Sequence, residues 1–149
     1  MVVDVRGRTL ADVPTPNPVS RPDADALVAV LRARLDDPPD WLRNHNNVVA
    51  IGGTNSIFNL CSAVAGGATV LSPRDARAAL DAVLDASDAQ LCATDWWARA
   101  GCSAKEAKYT VGKLALLVAV LETLQLPSIA YKPTNGSCPG MLVSQTLFP

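Results

Sequence analysis

An excess of charge of either sign is missing from this chain: 13 Lys and Arg residues stand against 14 Asp and Glu, a formal net charge of -1. The basic residues are scattered among acidic neighbours. Proteins that wrap nucleic acid concentrate basic charge on one surface, so nucleic acid is not expected as a main partner. Histidine occurs once, as His45, and the four cysteines (Cys61, Cys92, Cys102, Cys138) form no Cys-x-x-Cys pair. A tetrahedral zinc site needs ligands clustered at short spacing, and none are clustered here. Wide spacing, with Cys61 inside an apolar stretch, points to free thiols in a reducing compartment. The longest apolar run, Leu114 to Leu121, is far shorter than the ~20 residues of a membrane span. Asp4 and Arg6 break the first residues before any apolar run, unlike a secretory leader. The expectation is a soluble, cytoplasmic chain with no membrane partner. Internal repeats and low-complexity tracts are also missing.

What is present is an apolar, domain-sized chain: 149 residues, 49% of them hydrophobic. That length favours one domain burying roughly 70% of its unfolded surface. Pro14, Pro16 and Pro18 alternate, which makes residues 1–19 an extended connector. Residues 20–149 then form the folded part. Ser20 reads as a helix N-cap, with Pro22 in the first turn and Leu27, Val30, Leu31 and Leu35 as the apolar stripe. Pro38 and Pro39 end that helix.

Val48-Val49-Ala50-Ile51 lies between Asn46-Asn47 and Gly52-Gly53, the pattern of a buried strand feeding a glycine turn. Thr54 or Asn55 can cap the next helix, which runs through Ile57, Leu60, Cys61 and Val64 and stops at Gly66-Gly67. Val70-Leu71 is at most a short strand. Ser72, Pro73 and Asp75 open another helix, whose stripe is Leu80, Val83 and Leu84 and whose surface carries an Arg77–Asp81 pair. The stretch from Ala89 to Gly101, with Trp96 and Trp97, shows no clear period. Ser103 and Glu106 fit a capping box for a helix that extends to about Gln125. From Leu114 to Leu121 that helix is apolar all round and therefore buried. Pro127 stops it, Ser128 to Tyr131 reads as a strand, and a last helix is expected over Gly140 to Leu147. Alternating strands and helices indicate an α/β layer with a mainly parallel sheet. Two clear strands are few for a full sheet, so part of the sheet is expected to lie outside this chain.

The motif Val48-Val49-Ala50-Ile51-Gly52-Gly53-Thr54 resembles the second-domain glycine motif of the exopolyphosphatase/guanosine-pentaphosphatase (Ppx/GppA) family. The order after it is similar too: a Leu71-Ser72-Pro73 step into a helix, the apolar run Leu114 to Leu121, the Ile129-Ala130-Tyr131 strand, then Gly136 and Gly140. The resemblance covers roughly Val48 to Val143. It implies a partial actin-like (ribonuclease H-like) lobe acting on polyphosphate or guanosine pentaphosphate in a cleft between two lobes, usually with magnesium. Gly52, Gly53 and Thr54 would then be phosphate-binding, because exposed amides with no Cβ admit an anion closely. The family's phosphate loops and catalytic acid lie N-terminal to this region, and nothing in Met1 to Asn47 resembles them. Its Arg-x-Asp falls on Glu106-Ala107-Lys108 with inverted charge, and its two turn arginines are lost at Thr134-Asn135-Gly136 and Cys138-Pro139-Gly140. Phosphate chemistry depends on charged positioning groups. The catalytic residues stay unassigned, and the chain alone is expected to be inactive. Its expected partners are a phosphate-containing small molecule or polyphosphate, and either a missing N-terminal lobe or another copy of itself. The alternative is a non-catalytic domain that binds a nucleotide or a partner.

Simpler readings stand beside these. Gly52-Gly53-Thr54 also fits a tight strand-to-helix turn with no ligand. His45 lacks a second histidine or a close acid to orient it and reads as a solvated loop residue. The cysteines read as packing residues, with Cys138, among turn residues, the one whose thiol environment differs. Trp96-Trp97 reads as an anchor for an irregular stretch, and Asp36-Asp37 with Asp40 as a solvated acidic turn.

Overall fold

The computed structural model describes residues 15–35, 38 and 48–134. His45, the Asp36-Asp37 and Asp40 turn, Cys138 and the expected Gly140–Leu147 helix lie outside the described residues. The described residues form an α/β fold: six α-helices and a 3₁₀-helix pack with a three-stranded mixed sheet.

Helix α1 (Arg21–Arg34) starts where expected, with the Ser20 hydroxyl accepting from the Asp23 amide. Its buried face differs from the expected stripe. Ala24 and Val28 are buried, with Leu31 and Leu35 half-buried beside them, while Leu27 and Val30 are 36% and 57% exposed. Ala24 and Val28 lie on the face of α1 that packs against α6. The connector before it is docked: Asn17 Nδ2 donates to Asp88 Oδ1 (2.7 Å) and to the Ala107 carbonyl (3.0 Å).

Strand β1 (Val48–Gly52) pairs in parallel with β3 (Ile129–Pro133), Val48 opposite Ile129 and Gly52 opposite Pro133. Strand β2 (Val70–Leu71) pairs antiparallel on the other side of β3, giving the order β1-β3-β2. One of the two pairings is therefore antiparallel, which corrects the expectation of a mainly parallel sheet. The antiparallel pair is short, with Val70 opposite Ala130 and Leu71 opposite Ile129. β1 was also expected to be a buried strand, and among the described residues only one of its faces is covered. Ala50, Leu71, Ile129 and Tyr131 face the helices, while Val49, Ile51 and Val70 on the opposite face are 50%, 47% and 58% exposed.

The next helix, α2 (Ile57–Val64), is capped by Ser56, whose hydroxyl accepts from the Asn59 amide at 3.0 Å, and not by Thr54 or Asn55. Asn55 instead takes the left-handed conformation (φ 72°) that closes the turn. Helix α3 (Pro73–Asp81) carries the expected Ser72–Asp75 cap, and these hydrogen bonds hold the Asp75 carboxyl below its ordinary pKa. Its Arg77 does not pair with Asp81. The guanidinium reaches Glu122 with Nε (2.6 Å) and Nη2 (2.8 Å) and Asp25 with Nη1 (3.3 Å), and Asp81 pairs with Arg21.

The stretch without a clear period forms two short helices, α4 (Asp88–Cys92) and α5 (Asp95–Ala100). Trp97 is buried there and packs edge-on against Trp96, ring centroids 5.6 Å apart, which fits the anchoring reading. The Ser103–Glu106 box opens a 3₁₀-helix (Ala104–Tyr109), and α6 (Thr110–Thr123) begins only afterwards. Helix α6 is buried as expected, with Leu114, Leu117, Val118 and Leu121 fully enclosed. Helices α1, α2 and α3 pack around it, and α2 and α3 also cover the inner face of the sheet. Among the described residues no helix is long and apolar enough to cross a membrane.

Candidate functional site

The end of β1 carries the three residues singled out by sequence, and the backbone there is tightly held. The Gly52 carbonyl accepts from the Tyr131 hydroxyl at 3.0 Å and from the Thr134 amide at 3.1 Å. The Gly53 carbonyl accepts from the Ser56 amide at 3.1 Å. A Cβ on Gly52 would lie 2.5 Å from Ser56 Oγ, and one on Gly53 would lie 2.7 Å from the Thr134 carbonyl oxygen. Both glycines therefore have a packing reason to be glycine whether or not a ligand approaches. In the same turn, Lys113 Nζ donates to the Asn55 carbonyl at 2.7 Å, fixing the turn to α6.

Gly53 and Thr54 line a polar cleft of about 270 Å³ at this turn. Gly52, expected with them, is half-buried and does not line the cleft; its carbonyl is taken up by Tyr131 and Thr134. Among the described residues, the amides of Gly53 and Thr54 make no hydrogen bond, and the exposed Thr54 hydroxyl makes none either. Seven more residues line the cleft, and three of them bring polar side chains that sequence reasoning did not place at the site: Asn59, Arg99 and Tyr131. Asn59 Nδ2 donates to the Ala100 carbonyl at 2.7 Å, and its Oδ1 lies 3.3 Å from the Tyr131 hydroxyl. These bonds brace α2 against α5 and β3. Arg99 is exposed, and its head reaches the Ala63 carbonyl at 3.3 Å. Among the described residues no carboxylate pairs with it, and the cleft lining holds no Asp or Glu. The cleft thus joins idle amides, a hydroxyl and one unpaired cation, which suits an anion.

Asn59 has a signal in the sequence, since it sits one turn into the helix that follows the glycine motif. Arg99 has none, because it lies in the stretch without a period. Among the described residues no group of three or more His, Cys, Asp or Glu lies close enough together to hold a metal. With no carboxylate in the cleft, these residues do not fit the magnesium that the family resemblance implies. The described cysteines (Cys61, Cys92 and Cys102) are free, and burial pushes the Cys61 thiol up to about 12. Cys92 and Cys102 are raised as well, chiefly by burial, so none of the three is an activated nucleophile. Comparison with protein-family models, curated proteins and solved structures finds no match for this chain.

Proposed function

We propose that the chain is an anion-binding lobe for phosphoanhydride compounds, related to the C-terminal actin-like lobe of the Ppx/GppA phosphohydrolases. It holds polyphosphate or a nucleotide polyphosphate at the Gly53–Thr54 turn and does not cleave it unaided. The observation that carries this reading is the cleft in which unpaired amides of Gly53 and Thr54 share a lining with Arg99 and no carboxylate. Hydrolysis needs a group to position the attacking water and charges to stabilise the transferring phosphoryl. The cleft contributes one cation and no base. Exposed Val49, Ile51 and Val70 support the view of one lobe of a larger assembly, because apolar sheet surface of this kind is normally covered. A second lobe supplying the base and further cations would complete the reaction.

Calorimetric titration of the purified chain with tripolyphosphate tests this, alongside an assay for phosphate release. Binding without turnover is expected. Thr54→Val and Arg99→Gln should each weaken binding about tenfold, the loss of one charge-assisted or hydroxyl hydrogen bond. Thr54→Val is the better probe of the turn, since any side chain at Gly53 would displace Thr134. Absence of binding, or binding indifferent to both substitutions, would refute the assignment of the cleft. Turnover by the isolated chain would refute the half-enzyme reading.

A further inference from the structure

The two unpaired amides of the cleft, those of Gly53 and Thr54, each share a peptide unit with a carbonyl that is itself hydrogen-bonded. The Gly53 amide shares its unit with the Gly52 carbonyl, which accepts from the Tyr131 hydroxyl at 3.0 Å and from the Thr134 amide at 3.1 Å. The Thr54 amide shares its unit with the Gly53 carbonyl, which accepts from the Ser56 amide at 3.1 Å. The Ser56 amide shares its unit with the Asn55 carbonyl, and there the series ends on a charge: Lys113 Nζ donates to that carbonyl at 2.7 Å. In a trans peptide the C=O and N–H point in opposite directions, so a donor on the oxygen strengthens the N–H as a donor in its turn. Lys113, the Asn55–Ser56 peptide and the Gly53–Thr54 peptide thus form one directed series, with an ammonium at one end and an unpaired N–H at the other. Lys113 is half-buried in α6, its acceptor is neutral, and among the described residues no carboxylate pairs with it. Burying a charge without an ionic partner is costly, and a neutral donor would brace the turn without that cost. What the ammonium adds beyond a brace is its charge.

We infer that Lys113 is a positioning residue of the anion site: without touching the ligand, it strengthens the Thr54 amide, through two peptide units, as a donor to a phosphate oxygen. The inference rests on the reading of the cleft as an anion site. To Arg99, which lines the cleft, it adds a cation that acts from behind the turn. The Gly53 amide is the internal comparison, because the groups behind it, the Tyr131 hydroxyl and the Thr134 amide, are neutral.

Amide NMR of the full chain, together with calorimetric titration against tripolyphosphate, tests this. In the ligand-free chain, Lys113→Met should move the Thr54 amide proton upfield and leave that of Gly53 in place. Tyr131→Phe should do the reverse. Lys113→Met and Lys113→Gln should each weaken tripolyphosphate binding about threefold, the change expected when a charge-assisted hydrogen bond loses up to about 30% of its strength. Glutamine keeps a donor, so its loss of affinity identifies the charge; Lys113→Arg keeps both and should restore wild-type affinity. Movement of both amides in Lys113→Met would mean that the turn has loosened, and it overturns the inference, as does movement of neither. Wild-type affinity in Lys113→Gln overturns the role of the charge. A wild type that binds tripolyphosphate no better than Lys113→Met does refutes this inference alone and leaves the anion site standing. A wild type that binds none removes the anion site, and this inference with it.

Discussion

Glu122 joins three helices, and its removal should cost more than an ordinary surface charge. Its Oε1 accepts from Arg77 Nε at 2.6 Å, and its Oε2 accepts from Arg77 Nη2 at 2.8 Å and from Arg32 Nη1 at 3.3 Å. The Arg77 guanidinium also meets Asp25 at 3.3 Å, so α1, α3 and α6 are tied at one point. Glu122 and Arg77 are only 22% and 33% exposed, and the bidentate contact raises the Arg77 pKa. Fully exposed ion pairs contribute about 0–1 kcal/mol, and hydrogen bonds to charged groups about 1.5–3. Partial exposure places the Arg77–Glu122 coupling between these ranges, at about 1–2 kcal/mol. A helical i,i+4 pair between Arg77 and Asp81 would give only about 0.2–0.5 kcal/mol. Two double-mutant cycles in urea separate them: Arg77→Ala with Glu122→Ala, and Arg77→Ala with Asp81→Ala. Arg77→Lys should lose most of the Glu122 coupling, since lysine cannot make the bidentate contact. A coupling to Glu122 below that to Asp81 would refute the network.

Gly53→Ala should destabilise by about 1–3 kcal/mol, because its new carbon meets backbone that has to move, whereas Gly112→Ala should stabilise by about 0.5–1. Equal effects in chemical denaturation would contradict the packing described for the turn. Leu117→Asp buries an unpaired charge at the centre of α6 and should abolish the cooperative melt, given a total stability of roughly 5–15 kcal/mol; an unchanged melt would mean the helix is not buried. Cys61 has its folded pKa raised from 9.0 to about 12, so the unfolded chain loses its thiol proton first as pH rises. The stability this thiol contributes is complete below pH 9 and falls from there toward pH 12, about 1 kcal/mol of it between pH 9 and pH 10. Cys61→Ala should flatten that part of the profile, and identical slopes would place the thiol in solvent.

Local chemistry made most of the helices legible. Ser20, Ser72 and the Gly66-Gly67 stop each satisfy backbone groups within a few residues, so their signals depend little on distant packing. The α1 stripe misled because its counted leucines and valines outweighed Ala24, which lies on the face that packs against α6. The Ser103–Glu106 box did not reveal that its first turns would be 3₁₀, since both helix types share the same cap. The Ser87–Gln90 box that opens α4 is also a local signal, visible once the stretch is read cap by cap instead of by periodicity. Arg77 chose Glu122 over Asp81 for a reason no single helix contains: Glu122 is brought over by α6, forty-five residues away, and offers one oxygen to Nε and the other to Nη2.

The candidate cleft follows the same division. Gly52 and Gly53 are legible because each lacks a side chain for a steric reason that a strand-to-helix turn imposes, and Thr54 because it follows them directly. Arg99, Asn59 and Tyr131 come to the turn from α5, α2 and β3, three elements whose meeting depends on the whole fold. A glycine motif therefore locates such a cleft, while the residues that give it sign and selectivity are supplied by packing. Among the described residues of the lining, Arg99 is the cation and no carboxylate accompanies it, and the proposed anion site rests on that pairing of a cation with the free amides of the turn.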